Sequence, residues 1–378
     1  MKKKDIKYLI WGYYGFGNLG DDLMLKVVVG RIRDVYPNAS IYVIGESTPS
    51  IANILPVNLK KNLINLPIIT SVVYLWRLLA VVLKVDKLII GGGTLFLDRG
   101  QHNPSMMLLT VAVFLRKIFF KKSYITGIGI DKLTRSINKW YLRRILDNSE
   151  TVAVRDNFSY NATNSSARRS NIIKASDILF DSRFVQSLKE VIIFNRKYIT
   201  LVLCDYNRMA RSVAERKIFK ERCLEFITTI IKKWGGEFKI ALCAFQYNKG
   251  DRDHEFLTEL RDDIVKEQPF FSDKIIVEYV HSEDQLKEYI GRAIFVVSNR
   301  YHALVFSAIL GVPFMGIQVE MKIGDICDKF KMPFIKESDY VADGIDLNNL
   351  AKLIGMRVSE DALNQSVEQA KGNFLWIK

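Results

Sequence analysis

Two side chains with complementary chemistry stand two positions apart in Ser298-Asn299-Arg300-Tyr301-His302. The apolar run Val296-Val297 ends there, and Ala303-Leu304 followed by Gly311-Val312-Pro313 comes next. Arginine is a permanent cation whose planar fork suits carboxylate and phosphate. Histidine gives and takes protons near neutral pH, and the chain has only four histidines in 378 residues. A strand that stops at such a pair just before a helix sets Ser298, Arg300 and His302 on the carboxyl edge of a sheet, where open α/β folds bind ligands. The competing reading is a helix-start pair satisfied by backbone and solvent.

Two glycine clusters have the same strand-end placement. Gly12-Tyr13-Tyr14-Gly15-Phe16-Gly17-Asn18-Leu19-Gly20-Asp21-Asp22 lies between an apolar run and a helical pattern starting near Leu23. Glycines in such a turn let backbone N–H groups approach an anion at the positive end of a helix, which makes Gly15, Gly17, Asn18 and Asp21 candidates for substrate contact. Asp21 and Asp22 read equally well as helix N-caps. The spacing is not that of a dinucleotide fingerprint, and no Gly-Lys-Ser/Thr follows to make a nucleotide-phosphate loop. Gly91-Gly92-Gly93-Thr94 ends another strand, so Gly92 and Gly93 belong to a second close approach of backbone to ligand or to packed chain.

The elements that carry these motifs alternate. Strand-like runs fall at Lys7 to Trp11, Ser40 to Ile44, Lys87 to Ile90, Ser123 to Gly127 and Thr151 to Val154. A second series falls at Tyr198 to Cys204, Phe238 to Cys243, Lys274 to Glu278, Ile294 to Val297 and Phe314 to Ile317. Short strands between longer helical patterns predict parallel sheets covered by helices, here in two doubly wound Rossmann-like α/β domains. The expected division is 1–180, 197–345 and a helical tail 346–378 that packs back on the first domain. The polar stretch from about Asn161 to Asn171 reads as a loop ahead of the boundary.

Hydrophobic content of 49% and charged content of 25% describe a well-cored globular protein, and 378 residues exceed one ordinary core. A net charge of +14 favours an anionic partner. With no nucleic-acid motif present, that partner is expected to be a phosphorylated substrate or an anionic lipid surface, not nucleic acid. The four cysteines, Cys204, Cys223, Cys243 and Cys327, have no metal-ligand or CxxC spacing. They predict free thiols, a reducing and hence cytoplasmic compartment, and no metal site. The Met1-Lys2-Lys3-Lys4 start is followed by too short an apolar run for an export signal.

Taken in order, these motifs resemble the polysaccharide pyruvyl transferase family. The resemblance rests on Gly12 to Asp22, Gly91-Gly92-Gly93, Gly127-Ile128-Gly129, Val154-Arg155-Asp156 with Ser159, Arg300-x-His302-Ala303-Leu304 before Gly311-Val312-Pro313, and the Lys322 segment. It implies two Rossmann-type domains facing across a cleft, as in B-type glycosyltransferases, with the acceptor on the first and the donor on the second. It implies transfer of the carboxyvinyl unit of phosphoenolpyruvate to a sugar, forming a pyruvate ketal and releasing phosphate, with no cofactor. His302 and Arg300 are then the catalytic candidates, and Arg155 and Lys322 are further cations for the donor. Tyr301 stands where the family commonly has Leu, and Asp22 where it has Glu; both departures bear on the acceptor more than on the chemistry.

The main alternative is a B-type glycosyltransferase using a nucleotide sugar, in which an acidic residue binds the ribose. Ser307 stands in that place, and a neutral hydroxyl makes no equivalent charge-assisted bond. The second alternative is a non-catalytic glycan-binding or assembly protein.

Two segments, Leu63 to Leu83 and Ser105 to Phe120, are unusually apolar but too short to span a bilayer. They read first as buried core helices. The rival reading is an interfacial patch, with Trp76, Phe114, Phe119 and Phe120 inserting and the neighbouring Lys and Arg meeting anionic head groups. In that reading the acceptor is a glycan, or a sugar on polyprenyl diphosphate, at the cytoplasmic leaflet.

Overall fold

A computed structural model describes residues 6–45, 63–66, 72–98, 103–167, 171–190, 195–204, 212–246 and 252–377. The chain divides into two compact units, one made of Met1–Phe184 with Gln365–Lys378 and the other of Val185–Asn364.

In the first unit the strands are β1 (Lys7–Tyr14), β2 (Ser40–Gly45), β3 (Leu63–Leu66), β4 (Lys87–Gly91), β5 (Thr94–Phe96), β6 (Lys122–Ile130), β7 (Thr151–Val154) and β8 (Asn171–Lys174). They form one parallel sheet in the order β3-β2-β1-β4-β6-β7-β8, with β5 pairing β6. The helices are α1 (Leu19–Val35), α2 (Val72–Lys84), α3 (Pro104–Ile118), α4 (Ser136–Asp147), α5 (Asn157–Ser166) and α6 (Ser182–Lys189). A strand buried on both faces reads as an unbroken apolar run, and Tyr8, Leu9 and Ile10 are all fully buried. Leu9 and Trp11 enter a core with Val82, Val113, Ile125 and Leu142, under α2 to α4. Tyr8 instead meets the Trp376 ring, 6.1 Å away.

The second unit has β9 (Tyr198–Val202), β10 (Lys239–Ala244), β11 (Ile275–Tyr279), β12 (Ala293–Ser298), β13 (Phe314–Gln318) and β14 (Phe334–Lys336), parallel in the order β11-β10-β9-β12-β13-β14. Its helices are α7 (Val213–Trp234), α8 (Arg252–Glu267), α9 (Glu283–Leu286), α10 (Tyr301–Ile309), α11 (Met321–Phe330), α12 (Glu337–Asp343) and α13 (Leu347–Gly355), with α14 (Glu360–Ala370) crossing back to the first unit. Ile199, Leu201, Phe219, Ile227, Leu242 and Phe295 lie at the centre of its core.

The C-terminal segment is bonded into the first unit after α14. Thr126 Oγ1 donates to the Asn373 carbonyl at 2.6 Å, Asn373 Nδ2 to the Ser176 carbonyl at 2.8 Å, and Lys87 Nζ to the Trp376 carbonyl at 2.6 Å.

Several local readings are corrected. The Asn161 to Asn171 stretch reads as a loop, but its first part is helical, α5 running to Ser166, and β8 starts at Asn171; residues 168–170 lie outside the described residues. Asp156 caps α5 by accepting from the Ser159 N–H at 2.7 Å, and Thr163 Oγ1 returns a bond to the Ser159 carbonyl, so a polar sequence forms a helix because its polar groups are satisfied locally. The Leu63 to Leu83 segment is not one helix, since it begins with β3; residues 67–71, like Met1–Lys4, lie outside the described residues. The Ser105 to Phe120 segment is a core helix on one face only: Met106, Leu109 and Val113 are buried while Phe114 and Phe119 are more than half exposed. No helix among the described residues is long and apolar enough to cross a membrane.

Candidate functional site

In both sheets the strand order reverses at one point, between β1 and β4 in the first unit and between β9 and β12 in the second. Helices leave to opposite faces there, which opens a crevice beyond the carboxyl ends of the two strands. The Gly15–Asp21 and Gly92-Gly93 turns lie at the first of these points and the Ser298–His302 segment at the second, whereas Gly127-Ile128-Gly129, the Arg155 segment, Gly311-Val312-Pro313 and Lys322 lie elsewhere.

At the second unit's reversal point, Ser298 builds the turn. Its hydroxyl lies 2.7 Å from the Val202 carbonyl, as donor, and accepts from the Arg300 N–H at 2.8 Å, which locks the end of β12 to the end of β9. A fully buried hydroxyl used in this way shapes the turn. Asn299 extends the lock by accepting from the Cys204 N–H at 2.8 Å through Oδ1. Its Nδ2 is a buried donor with no hydrogen-bond partner among the described residues, and sequence reasoning passed it over.

Arg300 occupies the N-cap position of α10 with extended backbone. Its Nη2 pairs with Asp253, and Gln246 Oε1 lies 3.3 Å away. Asp253 is almost fully buried while the Arg300 side chain remains 20% exposed. A buried carboxylate thus anchors one side of a cation that keeps a solvent-facing edge. Asp253 sits on α8, far away in sequence and without a motif, so nothing in the sequence linked it to Arg300.

His302 lies in the first turn of α10, is 8% exposed, and has the Tyr301 ring edge-on at 5.4 Å. Lys322, on α11, pairs with Glu320 and has its ammonium 5.8 Å from the centre of the Tyr301 ring. Two more histidines follow strands of this sheet and were overlooked. His254 stacks on Tyr279 at 4.1 Å, and burial lowers its pKa; His281 Nδ1 lies 3.2 Å from the Tyr279 carbonyl. Ser307 Oγ donates within α10 to the Ala303 carbonyl at 2.7 Å and brings no charge to the site.

At the first unit's reversal point the backbone needs its glycines. Gly15 and Gly17 have φ of 79° and 74°, and Gly92 and Gly93 have 78° and 75°, the left-handed region that side chains disfavour. A Cβ on Gly93 would lie 2.6 Å from Asp21 Oδ1, and one on Gly92 would lie 2.4 Å from the Tyr14 hydroxyl. Asn18 is the N-cap of α1, accepting from the Gly20 N–H at 3.2 Å. Neither aspartate is the cap. Asp22 instead accepts the Gly15 N–H at 2.7 Å, so a carboxylate of the protein takes an N–H that an anionic ligand would need.

This edge is acidic. Burial, reinforced by Asp21, Asp177 and Asp22 nearby, raises the Tyr14 phenol well above its ordinary pKa and keeps it a neutral hydroxyl. Arg155 is not presented to solvent. Its side chain is 1% exposed, with Nη1 3.0 Å from Asp177 and Nη2 3.2 Å from Thr94 Oγ1. Complete burial pushes the Asp177 carboxyl up despite that partner. Arg155 therefore braces β7 against the Asp177 turn and β5. Among the described residues no group of three or more His, Cys, Asp or Glu is arranged to hold a metal ion.

Two doubly wound parallel sheets, each with glycine turns or polar side chains at its reversal point, define a Rossmann-like α/β fold. Similar solved structures include the UDP-GlcNAc 2-epimerase of Methanocaldococcus jannaschii (12% identity, 97% of each chain, TM-score 0.63). Others are a putative UDP-N-acetylglucosamine 2-epimerase of Listeria monocytogenes (9%, 99% of this chain and 98% of that one, TM-score 0.59) and a glycosyltransferase of Rickettsia africae (10%, 98% and 99%, TM-score 0.51). At these identities the likeness is one of fold. A search of curated proteins finds no match. The family model for polysaccharide pyruvyl transferase matches residues 18–320, and the chain belongs to that family. The match takes in Asn18, Asp21, the Gly92-Gly93 turn, Arg155 and the Arg300–His302 pair; Gly15, Gly17 and Lys322 fall outside it.

Proposed function

We propose that the protein transfers the carboxyvinyl unit of phosphoenolpyruvate to two hydroxyls of a sugar in a cell-surface polysaccharide or its lipid-linked precursor. The product is a pyruvate ketal and phosphate is released. The observation that carries this reading is the Arg300–His302 pair at the β9/β12 reversal point, in a chain of the pyruvyl transferase family.

Phosphoenolpyruvate carries a carboxylate and a phosphate, so its site needs a fixed cation. Arg300, steadied by Asp253, supplies one, and Lys322 is a second of the same unit. His302 protonates C3 of the enol, making C2 electrophilic. A sugar hydroxyl adds to C2 and gives its proton to His302. The C2–O bond to phosphate then breaks, a second hydroxyl closes the ring at C2, and its proton leaves with the phosphate. One acid–base group thus both gives the proton to C3 and takes one from the first sugar hydroxyl, and the proposed steps use no cofactor. The first unit's edge, with Asp21 and the Gly92-Gly93 turn, suits sugar hydroxyls, which donate to carboxylates. Arg155 and Ser298 make their bonds inside the fold and hold backbone in position.

The test measures phosphate release from phosphoenolpyruvate against a panel of sugar and lipid-linked sugar acceptors, with nucleotide sugars in parallel. Acceptor-dependent phosphate release is the expected result. Release of nucleoside diphosphate would establish a glycosyltransferase instead. Within the proposed site, Arg300→Lys keeps the charge but loses the planar fork that lets one edge face Asp253 while another faces the donor. Its dissociation constant for phosphoenolpyruvate, measured by calorimetry, is expected to rise about tenfold, equivalent to about 1.4 kcal/mol. An unchanged value assigns Arg300 to the scaffold.

A further inference from the structure

The helix layer α2 to α4 covers one face of the first sheet and turns a second apolar surface outward. On α3 the exposed residues Met107, Val111, Phe114 and Ile118 recur at three- and four-residue steps, which puts them in one stripe along the helix. Trp76 on α2 is 70% exposed, and Ile137 and Trp140 on the neighbouring α4 are each 46% exposed. An outward stripe of this kind on a helix that already buries its other face signals an interaction surface.

The end of α3 adds a second, independent observation. Phe120 is 97% exposed with φ of 53°, and Phe119 beside it is 57% exposed. A β-carbon in the left-handed region costs free energy, and this position after a helix normally belongs to glycine. Phe120 accepts that strain and buries nothing in return within the chain. An apolar phase outside the protein would repay it.

Charge identifies the phase. Residues 104–150 contain nine Lys and Arg against three Asp and Glu. Arg116 is fully buried and contributes nothing outside. Lys84, Lys117, Lys122, Lys139 and Arg144 are exposed, and Lys117 Nζ donates to the Asp147 carbonyl at 3.1 Å. Arg144 also lies 5.3 Å over the Trp140 ring, so cation and aromatic are presented together. A second copy would bring an equally cationic face against this one, whereas an anionic bilayer offers apolar chains beneath negative head groups. The Phe119-Phe120 corner precedes β6 and so lies at the amino edge of the sheet, opposite the glycine turns that end β1 and β4. Docking there leaves the carboxyl edge of this sheet open.

We infer that the α3 stripe and the Phe119-Phe120 corner dock the protein reversibly on anionic lipid bilayers. The test is flotation of the full-length protein with phosphatidylcholine vesicles, with and without phosphatidylglycerol, at about 0.05 M and about 0.5 M salt. Binding is expected only with the anionic lipid and is expected to weaken at high salt. Phe120→Gly combined with Phe119→Ser is expected to lower partitioning by about tenfold or more. The same variant is expected to keep or raise the unfolding temperature, because glycine relieves the positive φ. Loss of binding with retained stability separates docking from folding. No binding to anionic vesicles at low salt, or undiminished binding by the variant, overturns the inference. So does an oligomer in sedimentation that dissociates on Phe114→Asp, which would assign the face to a second copy. Binding is read without phosphoenolpyruvate or acceptor, so its failure leaves the proposed reaction untouched.

Discussion

His302→Ala is expected to lower turnover by roughly 10²–10⁴-fold, the usual worth of positioned general acid–base help, while phosphoenolpyruvate affinity stays within a few-fold. The split follows from what each side chain does in the proposed reaction. Arg300 holds the donor in ground state and transition state alike, whereas His302 acts only as C3 is protonated and the sugar hydroxyl loses its proton. His302→Gln keeps a polar side chain of similar reach without a group that titrates near neutrality, and it should be nearly as slow. The check is single-turnover phosphate release alongside calorimetric donor binding. Turnover within about threefold of the parent would remove His302 from the chemistry, and equal losses of binding and turnover would make it a packing residue of α10.

The second large effect is on stability. Arg116 is the largest fully buried side chain among the described residues, and its guanidinium donates to four backbone carbonyls. Nη1 reaches Val82 at 2.6 Å and Val85 at 3.1 Å; Nη2 reaches Asp86 at 2.8 Å and Lys122 at 2.6 Å. It therefore ties the end of α2, the entry to β4 and the start of β6 to α3. Burial pushes its pKa down to about 10, still high enough to keep the charge at neutral pH. Arg116→Met retains much of the packing volume and deprives those carbonyls of their donor, so we expect a loss on the order of 4 kcal/mol. Against a usual total of about 5–15 kcal/mol, that loss leaves the first unit marginal. Arg116→Lys, with one ammonium in place of a fork, should fall between. Urea unfolding followed by tryptophan fluorescence reads both, since four of the five tryptophans, Trp11, Trp76, Trp140 and Trp376, belong to the first unit. A cost below about 1 kcal/mol for Arg116→Met would mean that water replaces the guanidinium.

The interfacial reading takes the Lys and Arg beside the apolar segments together as surface cations, and Arg116 is one that is not. Charge along a chain does not say which side of a helix faces inward, and Arg116 shares its face with Val113 and Leu109. Much of the rest was legible. Strands buried on both faces must be apolar along their length, so the ten expected strands were visible as runs, and each overlaps an observed strand, with ends off by one to three residues in places. The alternation of strand and helix then determined the fold class, because parallel strands require crossovers. β3, β5, β8 and β14 escaped notice: they have three or four residues each, too few for a periodic signal, and they exist because a neighbouring strand offers them hydrogen bonds.

The sequence by itself determined where the functional groups fall. Glycine clusters and the Arg300–His302 pair mark strand ends, since only there can the backbone turn sharply and a polar side chain leave an apolar run. Tertiary structure alone decided what each group touches. It brought Asp253 to Arg300 across 47 residues and set Arg155 between Asp177 and Thr94. Those pairings join loops at the ends of different strands. Their meeting depends on strand order, and strand order is a property of the packed sheet that no local spacing in the chain encodes.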